Sequence, residues 1–363
     1  ATGFGIVCLN VAQEEIANAY NLGFSVDYCH IDGGYIYAES KRNGKYRALL
    51  TDNLLDKGNW KRMGSYTARN ANPDPELMEK AKTLSPGGPK YNHFGFMRFA
   101  NGKLYTVGGG YGLAELRRPA TLQVLDGDEW QVYEDDIAAK TNHQYIDLMC
   151  VDVDPNNPSR VFAGGRTGLY EFNNGNFVQE YNIDNTNGCL QAAGTVAADN
   201  KDYVIVSGLK FDTSGDLWVF NGISKGSSLS QFTKDGKWVS HHNKAFMDDD
   251  NTSLNNGGCL TFDTSGNLWV ANNHYNTPAL VVFQPSTQGI NRYTRFVNED
   301  NAEVNGGGGV RCTAEDKDGN IWAGLNGGPV YLRPSDLSTD PNSVLFQQYK
   351  VPRNDGSNLA DYL

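Results

Sequence analysis

Three stretches of the chain repeat one pattern: LKFDTSGDLWV (209–219), LTFDTSGNLWV (260–270) and TAEDKDGNIWA (313–323). Their tryptophans, Trp218, Trp269 and Trp322, lie 51 and 53 residues apart. A period of about 50 residues with one strand–turn–strand signature per copy implies small antiparallel sheets repeated around an axis, so the pattern predicts a β-propeller. Such a repeat also warns that its most conspicuous residues are architectural.

Each copy reads apolar-x-apolar-Asp-x-x-Gly-(Asn/Asp)-apolar-Trp-apolar, two alternating strands around a tight hairpin loop. Asp212, Asp263 and Asp316 are placed to accept backbone N–H groups across the turn. Gly215, Gly266 and Gly319 supply the positive φ that closes it. The tryptophans open the second strand and are expected to fill the space between wedge-shaped neighbouring sheets.

Weaker copies precede these three, with Phe162, Tyr105 and Tyr37 at the tryptophan position. Each unit continues with two further strand-like segments, as in SLSQFTKDGKWVSHH (228–242). The expected fold is therefore an all-β propeller of seven blades of four antiparallel strands, with six full blades and a half blade visible. Residues 1–10 and 14–21 read as the second half of a blade. VLFQQYKV (344–351) completes a blade, and PRNDGSNLADYL is expected to begin a connection. Residues 65–95, rich in Pro and Gly around a short helical stretch from Pro75 to Leu84, read as a loop insertion. The expectation is one propeller domain over 1–363, cut from a longer multidomain protein whose flanking parts are its first partners.

The 363 residues carry a formal charge of −11, and residues 1–100 are close to neutral, so the acidity lies in the remainder. That balance argues against nucleic acid, whose binding requires dense Lys and Arg. No run approaches the about 18 apolar residues of a membrane span. The six cysteines show no C-x-x-C pair. Cys150, Cys259 and Cys312 each lie four residues before a turn aspartate, which predicts equivalent inner-strand positions near the channel.

The six histidines form no H-E-x-x-H pair, so no metal site and no catalytic residue is assigned. Asp248-Asp249-Asp250-Asn251 offers oxygen ligands for an adventitious or structural calcium, without EF-hand spacing. No other cofactor is implied. Two loops stand out as binding candidates. One is Asn273-His274-Tyr275, which follows the Trp269 strand directly. The other is GGGYGLAELRRP (108–119), whose Tyr111, Arg117 and Arg118 form a basic–aromatic loop on an acidic protein. Arginine binds carboxylates bidentately and tyrosine stacks on sugars. A merely solvated hairpin tip is the alternative.

The Asp-x-x-Gly-Asn-Leu-Trp signature resembles the two-component-regulator propeller repeat, which builds periplasmic sensor domains. GFGIVCLN, LTDNLLDKGNWKRMG, VFAGGRTGLYEF and VPRNDGSNLADYL are similar to PorZ-type propeller proteins of type IX secretion in Bacteroidetes. These resemblances imply a non-catalytic envelope scaffold, in the periplasm or at the outer surface, that binds an envelope protein or a surface glycan. A ligand-sensing domain of a hybrid two-component regulator is the second reading. A lyase- or lactonase-like propeller enzyme is the third.

Overall fold

The computed structural model describes all residues except 14, 68–74, 78, 80–88, 111, 113, 134, 305, 306 and 358. The expected single domain divides into two compact units, Ala1–Gly88 and Pro89–Leu363. The boundary falls inside the segment expected to be a loop insertion. That segment lies between strands; residues 75–77 are helical, and the rest of the stretch expected to be helical, but for residue 79, lies outside the described residues.

The first unit holds the hairpin β1 (Gly5–Asn10) and β2 (Glu15–Asn21). It also holds a four-stranded antiparallel sheet of β3 (Tyr28–Asp32), β4 (Tyr35–Ser40), β5 (Gly44–Leu49) and β6 (Lys61–Gly64). Its core gathers Ile6, Leu22, Val26, Ile36, Ala38, Ala48 and Trp60.

The second unit holds five sheets of the same kind, each with its strands in sequence order. The second blade is β7 (Phe96–Ala100), β8 (Lys103–Val107), β9 (Leu122–Asp126) and β10 (Glu129–Tyr133). A short helix, α1 (Ile137–Thr141), capped by the Asp136 carboxylate, leads to the third: β11 (Leu148–Val153), β12 (Arg160–Gly165), β13 (Gly168–Asn173) and β14 (Asn176–Tyr181). The fourth is β15 (Val206–Phe211), β16 (Leu217–Asn221), β17 (Leu229–Phe232) and β18 (Trp238–Ser240). The fifth is β19 (Gly257–Phe262), β20 (Leu268–Asn272), β21 (Ala279–Gln284) and β22 (Gly289–Tyr293). The sixth is β23 (Thr313–Glu315), β24 (Ile321–Leu325), β25 (Gly328–Leu332) and β26 (Gln347–Gln348). A hairpin of β27 (Lys350–Pro352) and β28 (Ala360–Tyr362) follows.

The chain is thus an all-β propeller. Among the described residues six four-stranded sheets are complete, and each unit adds one two-stranded hairpin. The terminal hairpin corrects the expectation that PRNDGSNLADYL is only a connection. Arg353 pairs with Asp361 through Nε at 2.6 Å, and the Asp355 carboxylate accepts the Ser357 N–H at 2.9 Å, closing a turn that its three-residue strands barely announce.

The apolar core of the second unit lies in the seams between consecutive blades. Alternate residues of a strand point to opposite faces, and the second strand of the fourth blade shows the consequence. Leu217 and Val219 pack with Phe162 and Leu169 of the third blade, while Trp218 and Phe220 pack with Leu268, Val270 and Val281 of the fifth. Trp269 closes the next seam against Ile321, Ala323 and Val330. The seams also carry polar ties. Asp152 accepts the Phe211 N–H at 2.7 Å and lies 3.1 Å from Arg98, tying three blades together, and Glu315 receives both the N–H and the hydroxyl of Thr264.

The turn residues form one recurrent clip. In the fourth to sixth blades, aspartate Oδ1 accepts two backbone N–H groups, and Oδ2 accepts the indole N–H of the tryptophan six residues on. Those indole bonds are 3.0 Å for Trp218–Asp212, 2.9 Å for Trp269–Asp263 and 2.8 Å for Trp322–Asp316. Gly215, Gly266 and Gly319 have φ of 90°, 80° and 80°. Register is shared as well: Trp218, Trp269 and Trp322 pair with the residue two before their turn aspartate, as Phe162 does with Asp152. Burial differs. Trp218 and Trp269 are buried, whereas Trp322 is partly exposed and rests on Tyr331.

Candidate functional site

The first strands of the blades begin, and the second strands end, at the side of the sheets opposite the Asp-x-x-Gly turns. Three first strands carry an irregularity there, at Leu148/Cys150, Val206/Gly208 and Gly258/Thr261. A β-bulge twists the strand locally and re-aims its side chains. Met149, Ser207 and Gly258 lie at these irregularities, and with Arg311, in the loop before the sixth blade's first strand, they surround one cavity of about 410 Å³; each of the four stands five residues before its turn aspartate. Gly109, Gly110, Arg118, Asn256 and Asn273 complete its polar and close-packed wall, and Cys259 and Cys312 also line it.

The glycines here are needed for close approach. A Cβ on Gly95 would fall 2.2 Å from the Gly109 Cα, and one on Gly110 would fall 2.8 Å from Met149. Cys259 adopts φ 45° at the bulge, outside the usual strand region. Cys312 is exposed as a residue, yet desolvation of its thiol within the wall, and then Cys259 nearby, hold that thiol above its ordinary pKa. Cys150, the third member of that register, is instead buried in the seam, where its Sγ points to the carbonyls of Gly164 and Val206. The inner-strand cysteines therefore share a register but not an environment.

The basic loop is fixed by a buried acid. Asp147 is fully buried at φ 52°, and its carboxylate accepts the N–H groups of Leu116 (3.0 Å), Arg117 (3.3 Å) and Arg118 (2.8 Å). Three convergent donors hold the turn and offset the burial of the charge. The two arginines then diverge. Arg117 is exposed and pairs with Glu115 at 3.3 Å, whereas Arg118 turns into the cavity and donates to the Gly108 carbonyl at 2.7 Å. Tyr111 lies outside the described residues.

Of the second loop, Asn273 lines the cavity, and its carbonyl accepts from Asn256 at 3.2 Å. His274 turns aside to the Thr277 hydroxyl at 2.9 Å, and Tyr275 is exposed. The structure thus joins Arg118 and Asn273 from two separately flagged loops. It leaves Arg117, His274 and Tyr275 out of the lining. Arg311, Asn256 and Ser207 were missed, although the shared spacing from the turn aspartate places Ser207 and Arg311 in the same ring as Met149.

Other candidate chemistry is engaged locally. Asp249 accepts the N–H groups of Asn251 and Thr252, and Asp248 accepts that of Asn255 and lies 3.5 Å from Arg292. Among the described residues no group of three or more ligating side chains is assembled. Residues 222–226, Gly-Ile-Ser-Lys-Gly, have the spacing of a nucleophile elbow. Ser224 is fully buried in a loop between strands, with no helix following, which is not the context that exposes a nucleophile. A larger cavity of about 560 Å³ lies at the turn end of the fourth and fifth blades, lined by Phe211, Trp218, Phe262 and Pro285. Its tryptophan N–H is already committed to Asp212.

Residues 1–61 match the family model for the N-terminal β-propeller domain of PorZ. Among solved structures, PorZ of Porphyromonas gingivalis, described as an essential bacterial surface component of the type IX secretion system, aligns at 16% identity and a TM-score of 0.63. That alignment covers 100% of this chain and 62% of PorZ, so the chain spans about three-fifths of the length of that protein. An extracellular domain assigned to a one-component system of B. thetaiotaomicron aligns at 13% identity and a TM-score of 0.43, covering 93% and 34%. A luciferin-regenerating enzyme aligns at 13% and 0.41, covering 68% and 74%. At 16% identity the PorZ likeness is one of fold. No curated protein sequence matches.

Proposed function

We propose that the chain is a non-catalytic recognition propeller of the cell envelope, in the periplasm or at the outer surface, that serves as an accessory to type IX-type secretion and surface attachment. The observation that carries this reading is the match of residues 1–61 to the PorZ propeller model. The whole-chain likeness in fold is in keeping with it. Fold alone does not set function, so the site must contribute, and the cavity of the second unit is lined by groups suited to recognition: guanidinium, amide and hydroxyl. The partner is an envelope protein or surface glycan, engaged together with flanking domains of the parent protein. Among the described residues no helix is long and apolar enough to cross a membrane.

The repeated Asp-x-x-Gly-(Asn/Asp)-(Leu/Ile)-Trp sequence favours one second reading, a periplasmic ligand-sensing domain of a hybrid regulator. Capture from envelope extracts, run beside a metal-supplemented hydrolase and lyase panel, tests both against an enzyme. A discrete captured partner and no turnover is the expected result. Robust turnover lost on His274→Ala would overturn the binding reading.

A further inference from the structure

Arg118 and Arg311 come from the second and sixth blades, yet they line one cavity. Among the described residues each guanidinium makes a single hydrogen bond, to a neutral acceptor: Arg118 to the Gly108 carbonyl and Arg311 to the Asn326 side chain at 2.8 Å. Neither has a carboxylate partner among the described residues, and none of the described lining residues is acidic. On a chain of net charge −11, two guanidinium groups without counter-ions around one concavity are an uneven distribution of charge. A guanidinium has five N–H donors, so each retains several for a ligand.

The rest of the wall narrows the ligand class. Asn273 presents a side-chain amide that makes no hydrogen bond among the described residues. Phe96, Met149 and Ala271 add apolar surface. A bare inorganic ion would leave that apolar surface unused. We propose that this cavity is an anion site for a small organic carboxylate, its charged end held by Arg118 and Arg311 and its body resting on Met149 and Phe96. The assignment rests on the reading of the chain as a binding module and adds the chemistry of the ligand. Asp147 is then a positioning residue, because it fixes the backbone from which Arg118 reaches the cavity.

Cys312, exposed and in the lining, is a built-in reporter, and exposed Cys8 in the other unit is its control. The intact chain is titrated with citrate and, separately, with inorganic phosphate. Binding is read by calorimetry and by site-resolved alkylation with neutral iodoacetamide. Citrate is expected to slow alkylation of Cys312 about fivefold or more while leaving Cys8 unchanged. Arg118→Gln and Arg311→Gln should each weaken citrate binding about tenfold, the loss of one charge-assisted hydrogen-bonded pair. Arg117→Gln should change it less than about twofold, since that side chain is exposed and outside the cavity. Arg311 is exposed, so its variant keeps the test open if Arg118→Gln fails to fold. No protection of Cys312 at about 10 mM citrate, the weak limit of specific binding, would overturn the site. Equal protection by phosphate would overturn the organic carboxylate. Partner capture that survives both arginine variants, together with absent citrate binding, would refute the cavity and leave the recognition role intact.

Discussion

The third and fifth blades perform one task with different chemistry. In the fifth, Asp263 is nearly buried: Oδ1 accepts the N–H groups of Ser265 and Asn267, and Oδ2 accepts the Asn267 amide at 2.8 Å and the Trp269 indole at 2.9 Å. In the third, Asp154 Oδ1 again accepts two turn N–H groups, those of Asn156 and Asn157, but the turn is two residues longer and the aromatic is Phe162, which has no donor. Arg160 takes the vacant role. Its guanidinium lies 3.7 Å from Asp154 Oδ2, bonds Glu171 at 2.6 Å and covers the Phe162 ring at 4.7 Å. The lesson is that the blade conserves a satisfied carboxylate and a covered aromatic in register, while the donor is interchangeable.

The strongest way to break this comparison is to remove the acceptor. Asp263→Ala orphans two backbone N–H groups, one amide and one indole at a buried site, and should cost about 3 kcal/mol, the upper end for stranded hydrogen-bonding groups. Denaturant unfolding measures it, and a loss below about 0.5 kcal/mol would show that water replaces the carboxylate freely.

Removing the substitute donor in the third blade comes next. Arg160→Gln abandons Glu171, whose other oxygen is bound by Tyr181 at 2.6 Å, and uncovers the Phe162 ring. About 2 kcal/mol is expected, typical of a charge-assisted bond in a partly buried place. An unchanged denaturation midpoint would mean that Arg160 is only a surface ion pair. Trp269→Phe then tests whether the fifth blade can live with the aromatic of the third. The lost indole donor alone should contribute about 1 kcal/mol, since Asn267 still serves Oδ2. If Arg160→Gln proves cheaper than Trp269→Phe, the equivalence of the two donors fails.

Much of the fold was legible because the repeat records local needs. Asp-x-x-Gly reports a turn acceptor and a positive φ, and aromatic spacing reports blade register even where Phe162 replaces tryptophan. The indole-to-carboxylate bond was not legible, since it depends on the second strand folding back over the turn. The site was legible only in fragments. Composition flagged Arg118 as a basic residue in an acidic chain, and loop position flagged Asn273, but the bulge that aims Ser207 and the approach of Arg311 just before its strand leave no compositional mark. The terminal hairpin stayed hidden because two strands of three residues have no hydrophobic alternation to reveal them.

The smallest expected effect compares the fifth blade with the sixth, where the clip stands nearer to solvent. Asp316 has its carboxyl lowered from 3.8 to about 2, first by the Trp322 indole N–H and then by the Asn320 amide. A group depressed in the folded state stabilises above its unfolded pKa, and that contribution fades as pH falls through the folded value. The window therefore runs from about pH 4 down to about pH 2. Trp322→Phe removes the first of those donors, so the Asp316 pKa should climb toward its ordinary value and the acid limb attributable to it should flatten. Screening by solvent keeps the change small. Carboxyl titration by NMR in the two proteins checks it site by site. An Asp316 pKa that stays put in Trp322→Phe would mean that the Asn320 amide and turn N–H groups alone set it, and that the partly exposed clip, unlike its buried counterpart, does not need its tryptophan.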